Sequence, residues 1–119
     1  MGITEKTFRI KKNLKTSEYE DVNFMIDSGA VFSLVPGEIL RKLGIKPHRK
    51  VIFSLAEMSK IERWVGDAFF EYEGEGGTAP VIFGEKDEKP LLGATVLESL
   101  RLVLNPYKRE LYHMGIIPL

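Results

Sequence analysis

The run Phe24-Met25-Ile26-Asp27-Ser28-Gly29-Ala30 places a carboxylate directly after an apolar, strand-like stretch and directly before a glycine turn. An acid in that position is presented by the end of a strand rather than merely solvated, and proton transfer is the chemistry it can offer. Further along, Pro90-Leu91-Leu92-Gly93 again brings an apolar strand end to a glycine, this time without an acid. Other chemistries find less support. Ser28 and Ser33 are hydroxyls that a base could activate, but His48 and His113, the two histidines, sit in no supporting motif and read as surface residues. With no cysteine and no His-Glu pair at helical spacing, no metal site is expected. Gly74-Glu75-Gly76-Gly77 lacks the Gly-Lys-Ser/Thr and following helix of a phosphate loop, and reads as a hairpin turn.

The elements that must position Asp27 are mostly strands. Thr7 to Lys11 alternates apolar and polar residues, residues 13–17 offer a polar turn, and Val22, Phe24 and Ile26 take alternate positions of a second strand. These two form a hairpin that delivers Asp27 to its far end. Pro36 near the start and Gly44 beyond the finish bracket a helix of about two turns. Val51 to Leu55 and Ile61 to Tyr72 are strands joined by Ala56-Glu57-Met58-Ser59-Lys60, the spacing of a protruding hairpin. Pro80 to Phe83 forms a strand, residues 84–90 a charged loop, and Leu91-Leu92 a buried strand end. Thr95 and Glu98 have capping-box spacing, so a short helix is expected to begin at Thr95. Residues 102–104 and 110–112 close the chain with a hairpin through Asn105-Pro106. The fold class is all-β with one or two short helices.

Composition bounds the rest. The 119 residues suit one domain spanning 1–119, and 44% hydrophobic against 29% charged residues is ordinary for a globular protein. Lys plus Arg and Asp plus Glu are both 17, so neither nucleic acid nor an acidic membrane is the expected partner. The cluster Arg9, Lys11, Lys12 and Lys15, followed by Glu18, Glu20 and Asp21, suits cross-strand pairing better than a nucleic-acid patch. The absence of cysteine fits a reducing compartment, and no apolar run reaches the ~20 residues of a membrane span, so a cytoplasmic location is the default. Trp64 and Phe69-Phe70 could line a substrate cleft or belong to the core.

The ordered set Asp27-Ser28-Gly29-Ala30, hairpin at residues 51 to 66, and Leu91-Leu92-Gly93 with its helix resembles retroviral-type (retropepsin-like) aspartic proteases. The likeness runs from Thr7 to Tyr112 and looks closest to the small archaeal and bacterial members. It implies a closed or partly open β-barrel with a flap hairpin, and a homodimer. Two neighbouring carboxylates share one proton, the charged one acting as base toward a water between them and the neutral one donating to the substrate carbonyl. This chain has one such acid, so the resemblance implies that the second is Asp27 of another copy across a two-fold axis. The expected activity is that of an aspartic endopeptidase acting on an extended peptide or protein, without cofactor.

By the same resemblance Ser28 and Gly29 shape the active-site loop, while Leu55, Ala56, Glu57, Met58, Ser59 and Lys60 form the flap that meets substrate. Leu91, Leu92 and Gly93 form the supporting strand. Ala30 cannot hydrogen-bond as the serine of the pepsin-like branch does, which implies a less acidic optimum than serine would give. The chain departs from the pattern in two places. Met58 stands where the flap tip usually has glycine, and Val31 and Ala94 replace an acid and an arginine that pair in viral members. An alternative is a catalytically silent peptide-binding or dimerisation module of the same fold, which the altered flap tip favours and Asp27 disfavours.

Overall fold

The computed structural model describes residues 3–116 and 119; residues 1, 2, 117 and 118 of the expected unit lie outside the described residues. Strands β1 (Glu5–Lys11) and β2 (Glu20–Ile26) form the expected antiparallel hairpin, with Phe8 opposite Val22. Their two-residue period buries Phe8, Ile10, Val22, Phe24 and Ile26 on one face. The turn between them closes on the Asn13 side chain, whose Oδ1 accepts the N–H groups of Lys15 and Thr16. Arg9 pairs with Asp21 across the hairpin and Lys11 reaches Glu71, while Glu20 pairs with Lys42 outside the cluster, so the expected cross-strand pairing holds for Arg9 and half of the basic cluster has an acidic partner among the described residues.

A short strand not anticipated from sequence, β3 (Ser33–Pro36), follows the Asp27 loop and leads into α1 (Gly37–Lys42). The helix stops where Gly44 adopts φ +81, with Gly44 N–H donating to the Arg41 carbonyl and Ile45 N–H to that of Leu40. These paired bonds satisfy carbonyls that the helix end leaves free, and buried Ile45 and Leu40 pack at the same point. The long hairpin follows: β4 (Arg49–Ser54) and β5 (Lys60–Tyr72).

The next turn is tighter than the glycine pattern suggests. It consists of Glu73 and Gly74, both at positive φ, and β6 (Glu75–Gly84) begins at once, with Tyr72 opposite Glu75. Gly76 and Gly77 therefore belong to the strand, not to the turn. A Cβ at Gly76 would stand 2.5 Å from the Phe69 ring, so glycine there makes room for an aromatic.

After β6 come β7 (Leu91–Leu92) and α2 (Ala94–Ser99), then the hairpin of β8 (Leu102–Asn105) and β9 (Glu110–His113). Helix α2 starts one residue earlier than Thr95, with Gly93 as its cap and no side-chain cap bond. Thr95 Oγ1 instead donates to the Val31 carbonyl at 2.8 Å, because the neighbouring loop offers it an acceptor. The seven strands run in the order β1-β2-β7-β3-β6-β5-β4, and a further β1–β5 pairing draws the sheet into a partial barrel. Phe8, Phe24 and Phe70 meet inside it, with ring centroids 5.9 and 6.1 Å apart, and Tyr72 stacks on Phe8. Phe69 and Phe70 are thus core residues.

Candidate active site

Strand β7 is two residues long, and its position decides the geometry of the Asp27 loop. It lies parallel to β2, with Leu92 opposite Ile26, and antiparallel to β3, with Leu91 opposite Leu34. The loop from Asp27 to Phe32 therefore leaves the sheet on one side of β7 and returns on the other. Its main chain is fixed at each step: Asp27 N–H donates to Leu92 (2.9 Å), Ala30 N–H to Asp27 (3.1 Å) and Ala94 N–H to Ala30 (2.6 Å). Gly29 N–H donates to Asp27 Oδ1 at 3.0 Å, which orients the half-buried carboxylate on its own turn. Ser28 and Gly29 are exposed beside it.

Below the loop, Gly93 and Ser33 come together. Gly93 N–H donates to Ser33 Oγ at 2.9 Å in a fully buried contact, so Ser33 is a structural acceptor and not a nucleophile. Its importance could have been suspected from a hydroxyl placed in the apolar run Val31 to Val35. From sequence Ser33 reads only as a candidate nucleophile, and no motif points to Phe32, Arg63 or Glu88 at the site.

The hairpin of β4 and β5 stands across from this loop. Phe32 of the loop meets Phe53 of β4 edge-on, with centroids 5.6 Å apart. Between them lies a cleft of about 790 Å³, lined mainly by apolar side chains including Ala30, Phe32, Phe53, Leu55, Ile61 and Leu91. Arg63 and Glu88 stand on its polar margin. Of the six flap residues named from sequence, Leu55 lines the cleft, whereas Ala56 to Lys60 are exposed at and beside the hairpin tip. That tip is a three-residue loop in which Met58 N–H donates to the Leu55 carbonyl and Met58 takes φ +70. Methionine thus occupies the left-handed position that glycine takes at no steric cost.

Trp64 is neither in the cleft nor in the core. It is 45% exposed on the outer face of the β4–β5 hairpin, with Lys50 Nζ 4.8 Å from its ring centroid. His48 is exposed and 3.1 Å from Asp67, as a surface residue should be. His113 is only half exposed, and both its ring nitrogens are buried without a hydrogen-bond partner among the described residues, unlike the surface residue expected. On the cleft margin the Glu88 carboxyl lies below its ordinary value: burial alone would raise it, but the Glu85 N–H and the Arg63 guanidinium more than offset that effect. Among the described residues no three acidic or histidine side chains converge as metal ligands, and no helix is long and apolar enough to cross a membrane.

No protein-family model and no curated protein matches the chain. Solved structures do. The solution structure of the simian foamy virus (mac) protease is 17% identical with a TM-score of 0.52, over 78% of this chain and 92% of that one. The crystal structure of the prototype foamy virus protease-reverse transcriptase is 18% identical with a TM-score of 0.55, over 89% of this chain but 13% of that much longer one. The chain therefore has the retroviral-type protease fold, mostly β with two short helices.

Proposed function

We propose that this protein is an aspartic endopeptidase in which Asp27 and its counterpart from a second copy activate water against an extended peptide. The observation that carries the proposal is the Asp27 loop itself, which holds its carboxylate on a main-chain scaffold fixed by Leu92 and Ala94 and whose residues Ala30 to Phe32 line an apolar cleft beneath a hairpin. A catalytic carboxylate must be held where bound peptide can reach it, and strand ends joined by hydrogen bonds hold it better than a free loop. Two-fold symmetry brings any residue near the axis against itself, so a loop bearing one acid makes a dyad on pairing. Two carboxylates at such range retain one proton between them, leaving one base and one acid. The peptide lies extended and pairs partly through its main chain with the flap, with apolar side chains in the cleft. In this reading residues 1–119 act as one unit, no cofactor takes part, and the archaeal and bacterial members are the nearest kin. The setting is cytoplasmic.

Met58 at the flap tip favours a second reading, a peptide-binding module that has kept the fold without cleaving. Digestion of a peptide library across pH by wild type and Asp27→Asn separates the two. The proposal expects cleavage by wild type and none by Asp27→Asn, with dimerisation retained. Cleavage that survives the substitution, or peptide binding with no Asp27-dependent cleavage in the dimer, would end it.

A further inference from the structure

Arg63 stands on the inner face of the flap, opposite Val51. Of the half-buried residues there, Val51, Phe53, Ile61 and Arg63, it alone is charged, and its side chain is only 16% exposed. The guanidinium leaves its own hairpin for the loop between β6 and β7, where Nη2 lies 3.3 Å from Glu88 Oε2 and 3.4 Å from Glu85 Oε1. Glu88 is built into that loop as well: its Oε1 accepts the Glu85 N–H at 2.7 Å, and its own N–H donates to the Glu85 carbonyl at 3.0 Å. Two residues on, the Pro90 carbonyl accepts the Met25 N–H, which joins the loop to β2, the strand that leads into Asp27. A single guanidinium therefore ties the flap to the chain that forms the opposite wall of the apolar cleft. Arg63 and Glu88 both line that cleft.

The balance of charge makes the tie sensitive to its central member. Two glutamates converge on one arginine, so removing the arginine leaves like charges facing each other, and a charge-assisted bond becomes a repulsion. Main-chain pairing between β5 and β6 ends at Val65 and Ile82, so beyond that point the Arg63 ion pairs are the polar link between hairpin and loop among the described residues.

We infer that Arg63 is a positioning residue that, through Glu85 and Glu88, fixes the separation of the flap and the 85–90 loop and so limits the size of the apolar side chain the cleft accepts. This inference rests on the reading of the cleft as a peptide site. It is tested with Arg63→Met, Glu88→Gln and the charge swap Arg63→Glu with Glu88→Arg. Amide exchange at Glu85 and Glu88 should quicken about tenfold in the two single variants, as loss of a charged hydrogen bond requires. For paired peptides differing in a small or a bulky apolar residue, the KM ratio should move about tenfold toward the bulky one, with the change carried by KM more than by kcat. The swap should restore the size preference but not the protection of the Glu85 amide, because an arginine at 88 cannot accept that N–H. Unchanged exchange in the single variants, a size preference that holds while exchange quickens, or a folded swap whose size preference stays shifted would overturn the inference. Should wild type show no Asp27-dependent cleavage, the proteolytic reading fails separately. The size preference is then read from peptide binding followed by isothermal titration calorimetry. An unaltered preference in that titration would also overturn the inference.

Discussion

Gly93 has no room for a side chain, because an added Cβ would stand 2.5 Å from the Phe32 carbonyl oxygen and 2.9 Å from that of Ala30. Both obstacles are backbone, so neither can swing aside, and the shift would be passed straight to the loop that carries Asp27. The same residue sends its N–H to Ser33 Oγ, the buried hydroxyl beneath that loop. We expect Gly93→Ala to destabilise the fold by about 2–3 kcal/mol through overpacking. Ser33→Ala should cost about 1–3 kcal/mol because it strands a buried donor. Urea midpoints measure both, and the double variant should lose less than the sum, since the two residues share one contact. A Gly93→Ala protein with an unaltered midpoint would show that the Asp27 loop is not wedged against this strand.

The β4–β5 hairpin shows how an element can be legible in outline and opaque in detail. Two alternating strands with a polar spacer between them declare a hairpin, and it forms at the expected place, with Ser54 opposite Lys60. The spacer does not declare that Met58 must adopt φ +70, because that demand comes from the three-residue loop length and not from the residue. Methionine pays about 1 kcal/mol for this conformation, and glycine returns part of that gain as unfolded-state entropy. Met58→Gly should therefore raise the melting temperature by about 2–4 °C, a thermal scan being the check. A fall would mean that the exposed Met58 side chain supports the tip. The same division holds elsewhere. Strands β1 and β2 were legible because two-residue alternation is strong, and α1 because proline and glycine bracket it. Strand β3 was hidden: at four residues beside a helix start, its hydrogen bonds to β6 and β7 depend wholly on partners distant in sequence. The start of α2 was misjudged because Thr95 finds a better acceptor in Val31 than in its own helix. Glu85 and Glu88 lie in what reads as a charged loop and nothing in the sequence singles out Arg63; only the folding of β5 against the loop before β7 brings the three together.

At the scale of the whole molecule, the fold delivers one Asp27 per chain at the tip of a loop held by strands β2, β3 and β7. Equal numbers of acidic and basic residues leave little long-range repulsion between copies. If the catalytic unit is a pair, its behaviour on dilution and mixing differs from that of any single-chain site. Below the dissociation constant, specific activity should fall in proportion to protein concentration, because the active species is bimolecular. Mixing gives the sharper test. With equal amounts of wild type and Asp27→Asn allowed to exchange subunits at fixed total concentration, only pairs with two aspartates keep the dyad, so activity should drop to about one quarter of all-wild-type protein. A site complete in each chain would retain about one half, since every wild-type chain would still act alone. Asp27→Asn preserves the side-chain volume and can still accept the Gly29 N–H, so the variant should enter dimers as wild type does. Activity proportional to the wild-type fraction, with subunit exchange verified by native mass spectrometry, would therefore place the chemistry within a single chain.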